Sequence, residues 1–255
     1  SVTLLSLSAV FAEPVTIAVI QPEREAVMFG GFPSPSGLML LGSAATSDGV
    51  LNLNPVDGGM GGAFLGRQVY LRAGFQAYFQ YQITDVRNGG ADGFAFVIQG
   101  LPLPRLGWGG GGMGYGGITN SLAIEFDTFG NPELADPSNN HISIQTGGVG
   151  ENSCYHDDSL GYTDALPRLS DGKAHTVIVD YTPGLLRIFF DDTNNTPVLS
   201  ANVNLETLLN LDFGRAWVGL TASTGFSTQL HKILNWATIS YPPPVSVRLA
   251  SPQPN

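Results

Sequence analysis

Apolar and polar residues alternate along much of this chain, in runs separated by Gly, Asn, Asp or Pro. Period-two alternation sends successive side chains to opposite faces of a strand, so each run predicts a strand with one buried face. The clearest runs are GFQAYFQYQI (74–83), GFAFVIQ (93–99), NSLAIEFDT (120–128), HISIQT (141–146), AHTVIVDYT (174–182) and LLRIFFDD (185–192). The last two are joined by TPG, a hairpin signal. Runs of this kind suit antiparallel sheets. The only helical candidate of note is NLETLLNL (204–211), which is short. No repeat of solenoid period occurs.

The pattern divides the chain. Residues 1–27 alternate loosely and predict one or two extension strands before a break at QPERE; residues 28–241 run continuously from strand to strand. Residues 242–255 form a Pro-rich tail that reads as a linker to a further domain, the alternative being an ordinary ragged terminus. The opening on Ser1 rather than Met fits processing or a fragment, and VTLLSLSAVFAEPVTIAV is a poor signal core because it lacks a basic leader and contains Glu13 and Pro14. No run reaches the roughly 18 apolar residues that a membrane span requires.

Composition supports strands and loops. Apolar residues make up 43% of the 255, ample for a core, whereas 33 glycines and 17 prolines disfavour long helices. The 11 basic residues against 21 acidic ones give a net charge of −10, which repels phosphate backbones and anionic membranes. Nucleic acid and membrane insertion are therefore not expected, while neutral ligands and cations are. Cys154 is the one cysteine, so no intrachain disulfide can form, and it reads as an inert buried thiol.

Charge, scarce elsewhere, gathers in EFDTFGNPELADPSNNH (125–141). Glu125 and Asp127 are two apart on a strand and project to one face. The FGNP turn frees main-chain carbonyls, Asn131 and Asp136 lie on the loop, and His141 opens the next strand. Carboxylates with an amide oxygen and a carbonyl suit calcium; carboxylates with an imidazole suit manganese or another transition ion. A solvated acidic loop is the plain alternative. The spacing is not that of an EF-hand, and it has no zinc-type pairing of Cys and His.

These residues resemble the signature of the legume-type (L-type) lectins, E-F-D-T-x-x-N followed by D-P and N-H-I-G-I. Three further segments resemble that family in the same order: ADGFAFVIQG (91–100), the glycine loop GGGGMGYGG (109–117), and VGLTASTGFSTQLHKILNW (218–236). The resemblance spans roughly residues 28–241 and implies an antiparallel β-sandwich of the jelly-roll, concanavalin-like kind. It implies that Glu125, Asp127, Asp136 and His141 hold a transition ion, usually Mn2+. Asp127, the Phe129 carbonyl, Asn131 and Asp136 would hold Ca2+. It further implies a cis peptide between Ala91 and Asp92. Sugar would meet the side chains of Asp92 and Asn131 and a backbone N–H at Gly111 or Gly112, with Phe226 to Thr228 as the variable wall. Phe226 or Trp108 could stack on a pyranose, and Ser227 belongs to the same wall. A carboxylate accepts from adjacent sugar hydroxyls, an amide donates and accepts, and glycine lets the main chain approach. Two departures stand out. The family's usual G-x-L-G becomes Gly-rich with Met113 and Tyr115, and GGVGENSC after HISIQT leaves no identifiable serine for support of the transition ion.

The expected function is calcium-dependent, non-catalytic binding of neutral sugars or glycoconjugates by an extracellular or cell-surface protein, acting as a homo-oligomer or beside neighbouring domains. The alternative is a structural or adhesin module in which the lectin fold is scaffolding. Hydrolysis is disfavoured: retaining glycosidases of related shape carry E-x-D-x-x-E, and here Gly130 stands at the second acid while Glu133 lies beyond the strand. His156, His175 and His231 read as packed or solvated rather than as ligands, Trp217 and Trp236 as core, and Asp157-Asp158 as an exposed turn. Asn194-Asn195-Thr196 matches an N-glycosylation sequon.

Overall fold

The strand Phe75–Arg87 shows how alternation becomes a layered structure. Phe75, Ala77, Phe79, Tyr81 and Ile83 are buried, whereas the intervening Gln76, Tyr78, Gln80 and Gln82 are half-buried on the other face. The computed structural model describes residues 2–7, 15–20, 23–55, 58–191, 196–242 and 245–249. Within them the alternating runs form two large antiparallel sheets packed face to face, a β-sandwich.

The back sheet runs in the order Leu199–Ala201, Leu185–Phe190, Ala174–Thr182, Phe75–Arg87, Thr228–Ser240, Val50–Asn52, Ala45–Ser47, with Glu25–Phe29 also paired to Thr228–Ser240. The front sheet runs Gly161–Thr163, His141–Thr146, Ser121–Asp127, Gly93–Gln99, Arg215–Ser223, Met60–Leu65, Leu38–Gly42, with Val69–Tyr70 also paired to Arg215–Ser223. Pro183-Gly184 closes the predicted hairpin; Gly184 has φ +98°, the value a type II turn demands at its third position. The short helical segment condenses to one turn, Leu205–Leu208, capped by the Asn204 side chain. Val2–Leu7, Val15–Ile20 and Val245–Leu249 form a separate three-stranded antiparallel sheet, so the run after the prolines pairs with the N-terminal segment. The sandwich itself takes in Glu25, whose carboxylate pairs with Arg215 of the front sheet at 2.9 Å. Asn194 and Asn195 of the sequon, and residues 243–244 and 250–255 of the tail, lie outside the described residues.

Aromatic rings join the two layers. Phe79 of the back sheet stacks on Phe96 with centroids 6.1 Å apart, and meets Phe126 edge-on at 5.9 Å. Phe94 and Phe126, neighbours across the front sheet, stack at 4.6 Å. Leu122, Ile124, Ile142 and Ile144 complete this inner face. The opposite face of the same strands is also buried, beneath Met113, Tyr115 and Cys154. Trp236 is buried as expected, and Trp217 nearly so, with its indole N–H on the Leu101 carbonyl at 3.0 Å.

Because Phe79 touches three rings of the other sheet, Phe79→Ala is expected to lower unfolding stability by about 3–5 kcal/mol, measured by urea titration. A loss below about 1 kcal/mol would show that this aromatic layer does not hold the sheets together.

Candidate functional site

The register of the front sheet assembles the site. Asp127 pairs with Gly93 on one side and His141 on the other; Glu125 pairs with Ala95 and Ser143. Phe126 and Ile124 point to the core, so Glu125, Asp127, His141 and Ser143 share the outer face. Beyond Asp127 the chain turns through Phe129–Asn131, where the Phe129 N–H donates to Asp127 Oδ1 at 2.7 Å. The Asn131 N–H donates to Asp136 Oδ2 at 2.7 Å, folding the loop back. Oxygen or nitrogen atoms of Asp127, Asp136 and His141 then lie within 4.8 Å of one another, as do those of Glu125, His141 and His156.

These carboxylates are crowded and dry. Burial, and then the charges of Glu125 and Asp136, push the Asp127 carboxyl well above its ordinary value. Burial also raises Asp136, against the opposing Asn131 N–H, and burial followed by the Asp136 charge takes Asp92 up to about 6. Among the described residues, none of the three forms an ion pair with lysine or arginine. Asp92 Oδ2 and Asn131 Oδ1 are buried acceptors with no hydrogen-bond partner among the described residues. A hard cation with oxygen ligands fits this donor set, since it would supply the missing positive charge.

The Glu125–His141 pair makes a second fit. His141 Nδ1 lies 3.1 Å from the Ser138 carbonyl, which can only accept, so Nδ1 carries the proton. The other nitrogen, Nε2, faces Glu125 Oε1 at 3.2 Å. In a neutral imidazole that places lone pair against lone pair, an arrangement that needs a positive charge: a second proton or a metal ion. Burial alone would raise the Glu125 carboxyl, but a hydrogen bond from His141, available only when its ring carries the second proton, and those from Tyr115 and Ser143 hold it below its ordinary value. Ser143 Oγ donates to Oε1 at 2.7 Å, and the Tyr115 hydroxyl donates to Oε2. A carboxylate–imidazole set of this kind suits a transition ion.

Three loops frame Asp92. The Ala91–Asp92 peptide is cis, as the resemblance implies. The Asp92 N–H donates to the Ser223 carbonyl at 3.1 Å, and its own carbonyl accepts from the Thr128 N–H and hydroxyl at 3.0 and 3.1 Å. In the glycine loop, Gly112 donates to the Gly109 carbonyl, whereas the half-buried Gly111 N–H has no acceptor among the described residues. A Cβ at Gly111 would stand 2.9 Å from Asn131 Oδ1, so this glycine and Asn131 are in direct contact. Phe226 is 88% exposed, and its loop is tied down by Asn88, whose side chain donates to the Phe226 carbonyl at 3.2 Å. Ser227 Oγ donates to the Asn88 carbonyl at 2.8 Å. Trp108 lies across Gly116 and Gly117, within 2.5 Å of where a Gly117 Cβ would be, and so braces the loop with its ring half exposed.

Sequence reasoning missed the supports. Ser143 was hidden as an ordinary inward–outward strand residue of HISIQT, and Tyr115 looked like a departure from pattern. A buried chain of polar groups also reaches Asp92: Asn54 Oδ1 accepts from His231 Nδ1 at 2.9 Å, Gln229 Nε2 donates to His231 Nε2 at 3.0 Å and Thr128 Oγ1 at 2.5 Å, and Thr128 donates to Asp92. His231 is packed, as expected. His175 lies between Asp171 and Asp191 at 3.0 and 2.8 Å, away from the metal-type groups. Asp157 and Asp158 are exposed on a single 3-10 turn. His156, on the same turn, is buried; burial and the neighbouring His141 hold it below the ordinary imidazole value.

An antiparallel sandwich with a carboxylate–imidazole cluster at one end of its front sheet and a glycine loop above it defines a lectin-type β-sandwich. The family model of the legume lectin beta-barrel domain matches residues 35–235. The chain belongs to the L-type lectin domain family. It is 32% identical over 186 residues to the probable L-type lectin-domain containing receptor kinase S.7 of Arabidopsis thaliana, covering 65% of this chain and 26% of that protein. It is 28% identical over 224 residues to receptor kinase VIII.1 of the same plant, covering 79% and 30%. The chain thus spans less than a third of these relatives' length. Among solved structures it is similar to the basic winged bean lectin with Tn-antigen, with TM-score 0.71 and 25% identity over 87% of this chain and all of that one. The winged bean acidic lectin complexed with methyl-α-D-galactose gives 0.70 and 26% over 86% and 99%. No described helix is long and apolar enough to cross a membrane.

The buried chain to Asp92 gives a pH signature. Burial lowers His231 from 6.5 to about 3, so the folded protein keeps it neutral while the unfolded chain takes up a proton below 6.5. Between these values the unfolded state binds more protons, so this group's contribution to stability is lost as pH falls from 6.5 towards 3. His231→Gln is expected to make the stability–pH slope in that window shallower by up to about 1.4 kcal/mol per pH unit, read from denaturant midpoints. An unchanged slope would show that His231 is charged in the fold.

Proposed function

We propose that the chain is a calcium-dependent carbohydrate-binding module that recognises neutral sugars without transforming them. The observations that carry this reading are two buried acceptors, Asp92 Oδ2 and Asn131 Oδ1, without a partner among the described residues, and the contact of Asn131 with Gly111, whose N–H has no acceptor among them. Vicinal hydroxyls of a sugar both donate and accept, and such a set can satisfy them together. Gly112 is less suited as the main-chain donor because its N–H is committed to Gly109. The exposed Phe226 ring, with Ser227 beside it, offers an apolar wall for a pyranose face. Sugar complexes of the winged bean lectins, with Tn-antigen and with methyl-α-D-galactose, support the same substrate class.

Asp127, the Phe129 carbonyl, Asn131 and Asp136 would hold calcium; Glu125, Asp127, Asp136 and His141 would hold manganese or another transition ion. When bound, such ions supply the positive charge that lets crowded carboxylates remain ionised. The chain's own residues do the rest. Asp136 fixes the Asn131 backbone, Thr128 and Ser223 fix the Asp92 backbone, and Asn88 holds the Phe226 loop against them. No second acid stands where hydrolysis would need it: Gly130 occupies that position, and Glu133 hydrogen-bonds the Asn131 amide at 3.2 Å. Glycans outside the cell or at its surface are the partners this reading implies, and the receptor-kinase relatives favour such a setting.

A glycan array with and without calcium tests the reading. Binding to neutral glycans is expected in calcium and is expected to vanish after chelation and dialysis; full retention would remove calcium from the proposal. Asp92→Ala is expected to reduce binding at least about 100-fold with an unchanged fold by circular dichroism. An Asp92→Ala protein that still binds would take Asp92 out of the site. Oligosaccharides incubated with the protein should release no reducing ends, and turnover above background would restore the hydrolase alternative.

A further inference from the structure

His156 lies beside Glu125 and His141, in a segment that does not match the family pattern at the sequence level. It lies on the 3-10 turn His156–Asp158, two residues after Cys154, which packs with Met113 and Tyr115 of the glycine loop. That chain is anchored: the Asn152 amide donates to Ser121 Oγ at 3.1 Å and to the Gln145 carbonyl at 3.3 Å. The imidazole is only 8% exposed. Its ring meets Tyr162 edge-on at 4.5 Å and His141 edge-on at 5.3 Å, so its orientation is fixed from two sides. Neither ring nitrogen has a hydrogen-bond partner among the described residues, an unusual condition for a buried imidazole. One of those nitrogens lies within 4.8 Å of both a Glu125 carboxylate oxygen and a His141 nitrogen. The flanking Asp157 and Asp158 are exposed and belong to the surface, not to this cluster.

We propose that His156 is a further ligand of the transition-metal site, adding a second imidazole to the set of Glu125, Asp127, Asp136 and His141. The proposal rests on the reading that Glu125 and His141 hold such an ion. Glu125, His141 and His156 offer one oxygen-donor group and two nitrogen donors. Each added imidazole shifts preference away from Mn2+ towards Co2+, Ni2+, Cu2+ and Zn2+, which bind nitrogen more strongly. Calcium, with its all-oxygen ligand set on the Asn131 side, is indifferent to His156. The arrangement therefore makes this chain a binder of later transition ions as well as of calcium.

The test uses the full chain, stripped with chelator and then loaded with one equivalent of Cu2+. Pulsed electron paramagnetic resonance counts coordinated imidazoles: two are expected in the unaltered protein, and one in His156→Gln and in His156→Phe. Calorimetric titration with Co2+ and Mn2+ is expected to show Co2+ affinity falling at least about tenfold in both variants, with Mn2+ and Ca2+ affinity changed much less. The phenylalanine variant keeps a ring between Tyr162 and His141, so lost packing alone would not reproduce that split. A single imidazole in the unaltered protein, or two in either variant, overturns the role of His156 while leaving a site at Glu125 and His141 in place. Failure of the unaltered protein to take up any of these ions overturns both. The copper count on the unaltered protein is decisive even if neither variant folds.

Discussion

Pairing of Ser121–Asp127 between Gly93–Gln99 and His141–Thr146 sets the geometry of the whole site, because side chains along a regular strand alternate between two faces. A slip of one residue would send Glu125 and Asp127 into the aromatic layer and bring Phe126 out among carboxylates. The register is secured from the other side of the sheet. Phe126 is stacked on Phe94 and met edge-on by Phe79, so the hydrophobic contacts that hold the sandwich also fix which atoms meet on its outer face. Core and site are two faces of one constraint.

That outer face carries charge under conditions that oppose it. Asp92, Asp127 and Asp136 are all raised by burial, and the Glu125–His141 contact brings two acceptors together unless a positive charge intervenes. Such crowding is a cost to folding that nothing in the architecture requires, since small apolar residues could fill the same positions. The surrounding residues hold the crowded groups in place: Ser143 and Tyr115 on Glu125, the Phe129 N–H on Asp127, and the Asn131 N–H on Asp136. A cation placed among these groups would relieve the crowding.

What the sequence revealed follows from how locally each feature is encoded. The strands at 75–87, 174–182 and 185–190 were legible because their alternation is set by immediate neighbours. The acidic stretch 125–141 was legible because its residues lie on one strand, one loop and the start of the next strand. The supports were not. Ser143 reaches Glu125 only through sheet pairing, Tyr115 only because the glycine loop folds over the sheet, and His231 reaches Asp92 only through Gln229 and then Thr128, 101 residues from Gln229 in sequence. His156 illustrates the limit most clearly. Its neighbours Asp157 and Asp158 have the composition of a solvent turn, and only the path of the chain past Cys154, which packs with Tyr115, turns the histidine inward.

The close contact between Gly111 and Asn131 has a consequence for how selectivity could arise on this scaffold. At that point the surface offered to a ligand is main chain, and no side chain can be added without striking the Asn131 amide or Leu134. A main-chain donor reads where a hydroxyl is, but its chemistry cannot be varied by substitution. Discrimination between related ligands would therefore fall on the opposite wall, where Phe226 is almost fully exposed and makes its hydrogen bond through its carbonyl rather than its ring. Affinity and choice would be governed by different loops, so the second could be redesigned at Phe226 and Ser227 while the first is left untouched.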